Sequence, residues 1–388
     1  MGPIIILDKS TFQSLSKDEH LFLHMHFMEN LTPILGMEIL GDLRKEAPGT
    51  KSAEQKLSEL ADKFGGSGPA TNVDYRSLCF ESLLGNHFPL DGRIIPESSR
   101  AVHDPKMGRG MIIDLSPLNR AILRWQDGKF EEFEREFSTY WRQVTLNLDL
   151  DSFGDQLNAY HVILPRVDNF RELRETVDTL LADVAHQEIW LSWLLGQLSP
   201  PPDIEALILA RWRASRIMLM KHFSPFSFHC LRALLMLLVG TRHRLIRWQP
   251  TNLIDVQYLY YLPFCMVFAS NDRLHHNLAP LLIRENQSYV PGIELKADLR
   301  RIADFKDSLD NLKGRKLAYA LGSYPPPRKD SVVYQLWKKF MHPWRRGRGN
   351  LVTNLSEGEC EDALSWVKQM FIDVEGEAYF KDTKGKSS

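Results

Sequence analysis

Cysteine is scarce in this chain of 388 residues, with Cys79, Cys230, Cys265 and Cys360 far apart and no Cys-x-x-Cys pair. That spacing excludes a cysteine-built zinc scaffold and a disulfide framework, and it suits a reducing cytoplasm, the compartment expected here. An excess of one charge is also lacking: 48 Lys and Arg stand against 49 Asp and Glu, a formal net charge of −1. A nucleic-acid partner therefore has to be argued from local clusters. No apolar run reaches a membrane-spanning length. The nearest, around Leu231 to Val239, is interrupted by Arg232, so no membrane association is expected. The start, Met-Gly-Pro-Ile-Ile-Ile-Leu-Asp, lacks the basic residues and cleavage site of a secretory signal. Neither a Gly-x-x-x-x-Gly-Lys phosphate loop nor a Gly-x-Ser-x-Gly elbow occurs, which removes the common nucleotide-loop and serine-hydrolase mechanisms.

What is present is a globular composition, 44% hydrophobic and 25% charged, in a chain long enough to bury a large core. Ile4 to Leu7 is a short β-branched run that predicts a buried, central parallel strand. Ser16 to Asn30 predicts a helix with Ser16 and Glu19 as its capping box. Thr32 and Pro33 open a second helix to about Glu46. Residues 48–70 combine a charged helical stretch with a Gly-rich loop, residues 75–117 look irregular apart from a strand at Met111 to Leu115, and 117–247 is mostly helical. A helix at 252–262, a strand at Cys265 to Ala269 and a helix at 273–284 follow. The second half of Ile293 to Leu312 also reads as helix, Pro325 to Pro327 as a linker, and Lys384 to Ser388 as a disordered end.

Two of these strands deliver an aspartate at their carboxyl ends: Ile4-Ile5-Ile6-Leu7-Asp8 and Cys265-Met266-Val267-Phe268-Ala269-Ser270-Asn271-Asp272. In open parallel sheets that edge is where ligands bind. Glu38, on the helix after the first strand, and Asp255, in the first turn of the helix before the second, can add two more carboxylates. Gathered carboxylates repel one another unless a cation lies between them, and oxygen ligands suit Mg²⁺ or Mn²⁺. Each residue alone also fits a plain role, as a turn residue, a helix cap or a solvated helix face.

Cations gather in two places. Between Ala206 and Ile254 there is no acid, while Arg211, Arg213, Arg216, Lys221, Arg232, Arg242, Arg244 and Arg247 all occur there. Such a segment can hold a phosphate backbone beside a metal-filled edge, or can be the solvated face of a helical core. The second cluster, Trp337 to Arg348, interleaves aromatics with cations and suits either base stacking or packing onto the helical region. His20 and His24 are four apart on a helix, with His26 beside them, but no zincin-type carboxylate follows, and core or surface histidines are the expectation. His275 and His276 lie next to Asp272.

The order of the acidic motifs resembles that of the PIN-domain nucleases. Ile-Ile-Ile-Leu-Asp8-Lys-Ser10-Thr11 looks like their first motif, and Thr32-Pro-Ile-Leu-Gly-Met-Glu38 like the second. The segment from Asp255 to Ser270-Asn-Asp272 is similar to the third and fourth. The resemblance covers residues 1–47 and 251–290. It implies that Asp8, Glu38, Asp255 and Asp272 are catalytic metal ligands for Mg²⁺ or Mn²⁺, with Ser10, Ser270 and Asn271 as supports. It also implies hydrolysis of RNA, single-stranded or structured, including tRNA. Lys9, Arg211, Arg213, Arg242, Arg244, Arg247 and Arg273 are the candidate substrate contacts.

The expected fold is α/β, a PIN-like parallel-sheet core with a large α-helical insertion. Residues 1–60 form the first part of the core, 61–250 the insertion with some core elements, 251–320 the second part, and 321–388 a basic and aromatic extension. The expected function is a metal-dependent endoribonuclease in a toxin or defence role, with a homo-oligomer or a regulatory protein as a possible partner. The alternatives are a DNA or flap nuclease and a catalytically inactive PIN-like scaffold that binds RNA or protein.

Overall fold

The computed structural model describes residues 2–45, 50–65, 69–105, 108–147, 164–216, 219–309, 311–345 and 356–381. At its centre is a five-stranded parallel sheet, built from β1 (Ile4–Leu7), β2 (Met28–Leu31), β3 (Ala70–Thr71), β6 (Val267–Ser270) and β7 (Ser288–Pro291), in the order β3-β2-β1-β6-β7. Strands β4 (Ser99–Asp104) and β5 (Gly108–Ile113) form a separate antiparallel hairpin. The predicted strand at Met111 to Leu115 therefore lies outside the central sheet.

β1 sits in the middle because all four of its side chains are buried, with Ile5 and Ile6 wholly so. A strand apolar on both faces has to be covered on both, which is the condition of a parallel sheet. Burying each such isoleucine contributes roughly 1.5–3 kcal/mol. Its partner β6 shares this pattern, and the register pairs Leu7 with Ala269. The amide of Asp8 extends the ladder to the Ala269 carbonyl at 3.2 Å.

Helix α1 (Lys9–Ser14) is capped by Asp8, and α2 (Lys17–His26) by the reciprocal Ser16/Glu19 box. Next come α3 (Pro33–Gly41), with proline in its first turn, α4 (Ala53–Ala61), α5 (Tyr75–Leu84), α6 (Pro117–Gln126) and α7 (Glu132–Leu146). The helical region continues with α8 (Phe170–Ala182), α9 (Gln187–Leu198), α10 (Pro202–Ala214), α11 (Met220–Phe223) and α12 (Pro225–Arg242). Then follow α13 (Asn252–Tyr260), α14 (Arg273–Leu282), α15 (Gly292–Asp307), α16 (Asn311–Leu321), α17 (Val332–Phe340), α18 (Glu357–Glu375) and α19 (Ala378–Lys381). Helix α12 is buried on nearly every side, against α5, α8 and α13. Among the described residues no helix is long and apolar enough to cross a membrane.

Several elements differ from the sequence-based expectation, each for a physical reason. The helix from Ser16 stops at His26, and β2 follows it. Its sequence, Met-Glu-Asn-Leu, has no apolar run because Glu29 and Asn30 are buried and hydrogen-bonded; Asn30 Nδ2 donates to the Phe264 carbonyl at 2.8 Å. β7 is short and ends in proline, tolerable at the sheet's edge. Residues 75–84 are helical, because Asp74 caps them and Gly85 closes them in the left-handed conformation. Pro325 to Pro327 is buried and packed rather than an exposed linker. The glycines at 66 and 68 and the end from Lys384 lie outside the described residues.

Candidate active site

Leaving β1, the chain passes to β2 on one side, and β6 lies on the other. The order therefore reverses between β1 and β6, and such a switch point opens a crevice at the carboxyl ends of the strands. Asp8 leaves the end of β1, and Ser270, Asn271 and Asp272 leave the end of β6. Helix α13, carrying Asp255, packs against α3, carrying Glu38, and against α14, which Asp272 caps. Four acids from four segments are thus brought to one edge.

Their hydrogen bonds show how each is held. Asp8 Oδ1 accepts from the Thr11 amide at 2.9 Å, and its Oδ2 accepts from Ser10 Oγ at 2.6 Å. Glu38 Oε2 accepts from the Tyr258 hydroxyl at 2.5 Å. Asp272 Oδ1 accepts from the Leu274 amide at 2.6 Å, and its own amide donates to Ser270 Oγ at 2.9 Å. Ser10 is thus hydrogen-bonded to the Asp8 carboxylate and Ser270 to the Asp272 amide, while Asn271 is exposed beside them. Close by, Gly292 begins α15; a Cβ there would collide with Thr11 Oγ1 and Asn271 Nδ2, so only glycine allows that approach.

Two residues of the site lie outside the expected ligand and support set, although the sequence puts His275 next to Asp272, within reach of a substrate. His275 is buried. Its Nε2 donates to the Asp255 carbonyl at 2.7 Å, while Nδ1 lies 2.7 Å from Ser270 Oγ and 3.7 Å from Asp8 Oδ2. At that separation the contact with Asp8 is an ion pair, and Ser270 is the hydrogen-bond partner. The second residue, Tyr258, was signalled by its position three after Asp255 on the same helix face. For His275, nothing local marked it as buried.

The charges explain the titration. Burial raises the Asp255 carboxyl to about 7, and the nearby charges of Asp272, Glu38 and Asp8 push the same way, against His275. Glu38 is also raised, first by burial and then by Asp8, although Lys9 and Tyr258 oppose the shift. For Asp8, burial works upward too, but His275, Ser10 and Thr11 together outweigh it and hold the carboxyl at about 2. Burial disfavours the charged form of His275, but Asp8, Asp255 and Asp272 raise it to about 9. One imidazolium thus faces four carboxyl groups.

The candidate substrate cations divide. Lys9 Nζ reaches the Glu38 carbonyl at 2.9 Å and Asp42 at 2.8 Å, so its charge is already paired. Arg211 is structural: it donates to the Leu83 carbonyl at 2.7 Å and lies over the Phe223 ring. Arg232 grips Asp178 through two hydrogen bonds, of 2.6 and 2.9 Å. Arg213, Arg242, Arg244, Arg247 and Arg273 are exposed, the last four flanking α13 and α14 in sequence. In the aromatic cluster, Trp337 and Trp344 are buried and Trp337 Nε1 donates to the His26 carbonyl, so these rings are core rather than stacking platforms. Arg346 and Arg348 lie outside the described residues.

The donor set is all oxygen, as Mg²⁺ and Mn²⁺ require, but it is open. Among the described residues, three potential ligand atoms mutually within 4.8 Å occur at His20, His24 and Glu29, not among the four acids. An ion that keeps several waters and takes only one or two carboxylates directly is compatible with such spacing. Comparison with protein-family models, with curated proteins and with solved structures finds no match for this chain.

Proposed function

We propose that the chain is a metal-dependent endoribonuclease of PIN-like type, using Mg²⁺ or Mn²⁺ at the edge formed by Asp8, Glu38, Asp255 and Asp272. The observation that carries it is the convergence of Asp8, Glu38, Asp255 and Asp272, from four segments, on one sheet edge, close enough that Asp272, Glu38 and Asp8 join burial in raising the Asp255 carboxyl. A pocket that resists its own fourth negative charge favours a divalent cation. The resemblance of the motif-bearing segments to PIN-domain nucleases, and the crevice between β1 and β6, support the same conclusion.

A divalent ion bound there would supply a water acidic enough to attack a phosphodiester and a charge to offset the developing oxyanion. Asp8, the acid most firmly held as an anion, is suited to ligate it. Tyr258 fixes Glu38, while Ser270 and the helix cap fix Asp272. Arg242, Arg244, Arg247 and Arg273, exposed and near α13 and α14 in sequence, would hold the RNA backbone, a contact that carries affinity rather than sequence.

The test is cleavage of end-labelled RNA and DNA oligonucleotides with Mg²⁺, with Mn²⁺ and with a chelator. RNA should be cut only with metal, and Asp8→Asn or Asp272→Asn should lower the rate about 100-fold, a loss of roughly 2.7 kcal/mol of transition-state stabilisation. One observation favours an inactive PIN-like scaffold: His275 already supplies a cation beside Asp8. Absence of cleavage together with absence of Mg²⁺ binding would establish that second case, and preference for DNA the flap-nuclease alternative.

A further inference from the structure

We propose that His20, His24 and Glu29 form a second metal site, distinct from the acidic edge and independent of the nuclease proposal, that binds one Zn²⁺. His20 and His24 lie one turn apart on α2, with ring centroids 4.8 Å apart. Glu29 rises from β2, the strand that follows. Its Oε2 is 3.3 Å from His20 Nε2 and 3.7 Å from His24 Nε2. The three potential ligand atoms lie within 4.8 Å of one another, the spacing of ligands around a single ion.

A second observation points to a ligand. His20 and Glu29 are buried, and Glu29 Oε1 and His20 Nδ1 have no hydrogen-bond partner. A carboxylate oxygen left so in a protein interior is unfavourable, and an ion held by the carboxylate offsets that cost. The free Nδ1 of His20 gives the proton now on Nε2 a place to go when Nε2 becomes a ligand. His24 Nε2 also faces the Lys63 carbonyl at 3.2 Å, an acceptor it exchanges for the ion. Phe12 packs edge-on against the His20 ring and fixes its plane.

Donor chemistry selects the metal. Two imidazoles and one carboxylate suit zinc, whereas magnesium prefers oxygen alone. Three protein ligands leave a coordination position open, which is the pattern of reactive rather than purely structural zinc sites. His24, the half-buried member of the set, lines a cleft of about 600 Å³ that also includes Asn119 and Ser323.

The experiment uses the full chain, stripped with a chelator and titrated calorimetrically with zinc chloride alone. One equivalent should bind, and the half-exposed His24, changed as His24→Gln, should weaken binding at least tenfold. The double variant Asp8→Asn, Asp272→Asn should bind zinc as the parent does, which separates this site from the acidic edge. Cobalt added to the unaltered protein gives a readout that needs no variant: the intense visible bands of low-coordinate Co²⁺ should appear and be displaced by zinc. Failure to bind a full equivalent, unchanged affinity in His24→Gln, loss in the double variant, or a cobalt spectrum like that of the hydrated ion would each overturn the proposal.

Discussion

His275 Nδ1 stands 3.7 Å from Asp8 Oδ2, and the two residues come from segments that are remote in sequence. The pair joins the end of β1 to α14, while the other ring nitrogen ties α14 to the Asp255 carbonyl on α13. Replacing His275 with glutamine leaves Asp8 as a buried carboxylate without a cation. The expected loss is about 3 kcal/mol, within the range for breaking a buried pair. Urea denaturation of both proteins in chelator measures it, and equal midpoints and slopes would contradict the pairing.

Stability should depend on pH in a way that follows from three shifts. His275 is raised from 6.5 to about 9, so its contribution is complete below 6.5 and lost as pH rises through 9. Asp8 is lowered from 3.8 to about 2, so the same pair is complete above 3.8 and lost as pH falls through 2. Asp255 is raised from 3.8 to about 7, so folding loses stability as pH rises from 3.8 through 7, on the order of 4 kcal/mol in the metal-free protein. Asp255→Asn should flatten denaturant midpoints between pH 4 and 7 while leaving the decline toward pH 9.

Added Mg²⁺ should reverse the Asp255 penalty, since it favours the ionised carboxyl. Thermal melts at pH 8 should rise with Mg²⁺ more than melts at pH 5, and the difference should vanish in Asp255→Asn. An equal rise at both pH values in the parent would contradict a site built on that acid.

Tyr258→Phe removes the hydroxyl that Glu38 accepts from at 2.5 Å. A buried carboxyl deprived of its donor costs about 1–3 kcal/mol, and the midpoint of Mg²⁺ activation in the RNA assay should move to higher concentration. Glu38→Gln made in the Tyr258→Phe background should add less than it does alone, as residues in one hydrogen-bonded pair do.

Changing Arg242, Arg244 and Arg247 together to glutamine should weaken RNA binding and flatten its dependence on salt by about two to three in the log–log slope. Arg211→Ala should behave oppositely, destabilising the protein with little effect on that slope, because its guanidinium is spent on the Leu83 carbonyl and the Phe223 ring. Filter binding across a salt series separates the two.

The sheet's centre was legible because Ile4 to Leu7 and the run ending at Ala269 are apolar on both faces, which only a central parallel position explains. The Ser16/Glu19 capping box was legible too, since capping is a local matter, whereas a cap role for Asp8 and Asp272 stood only as the plain alternative to metal binding. β2 was hidden because Glu29 and Asn30 are buried against His20 and the Phe264 carbonyl, partners that local pattern cannot show. His275 was hidden for the same kind of reason: its burial depends on α13 and β1, which meet it only in the fold. The arginines divided between structure and solvent according to whether a carbonyl or an acid happened to lie within reach.

The pairing of β1 with β6 has a consequence for synthesis. The first strand emerges with residues 4–7, while its neighbour emerges some 260 residues later, with 267–270. Throughout that interval one edge of an apolar strand stays uncovered and Asp8 lacks the His275 imidazole. A nascent chain therefore carries no assembled acidic edge, and any truncation before Asp272 leaves none. Such long-range closure also predicts slow refolding from denaturant.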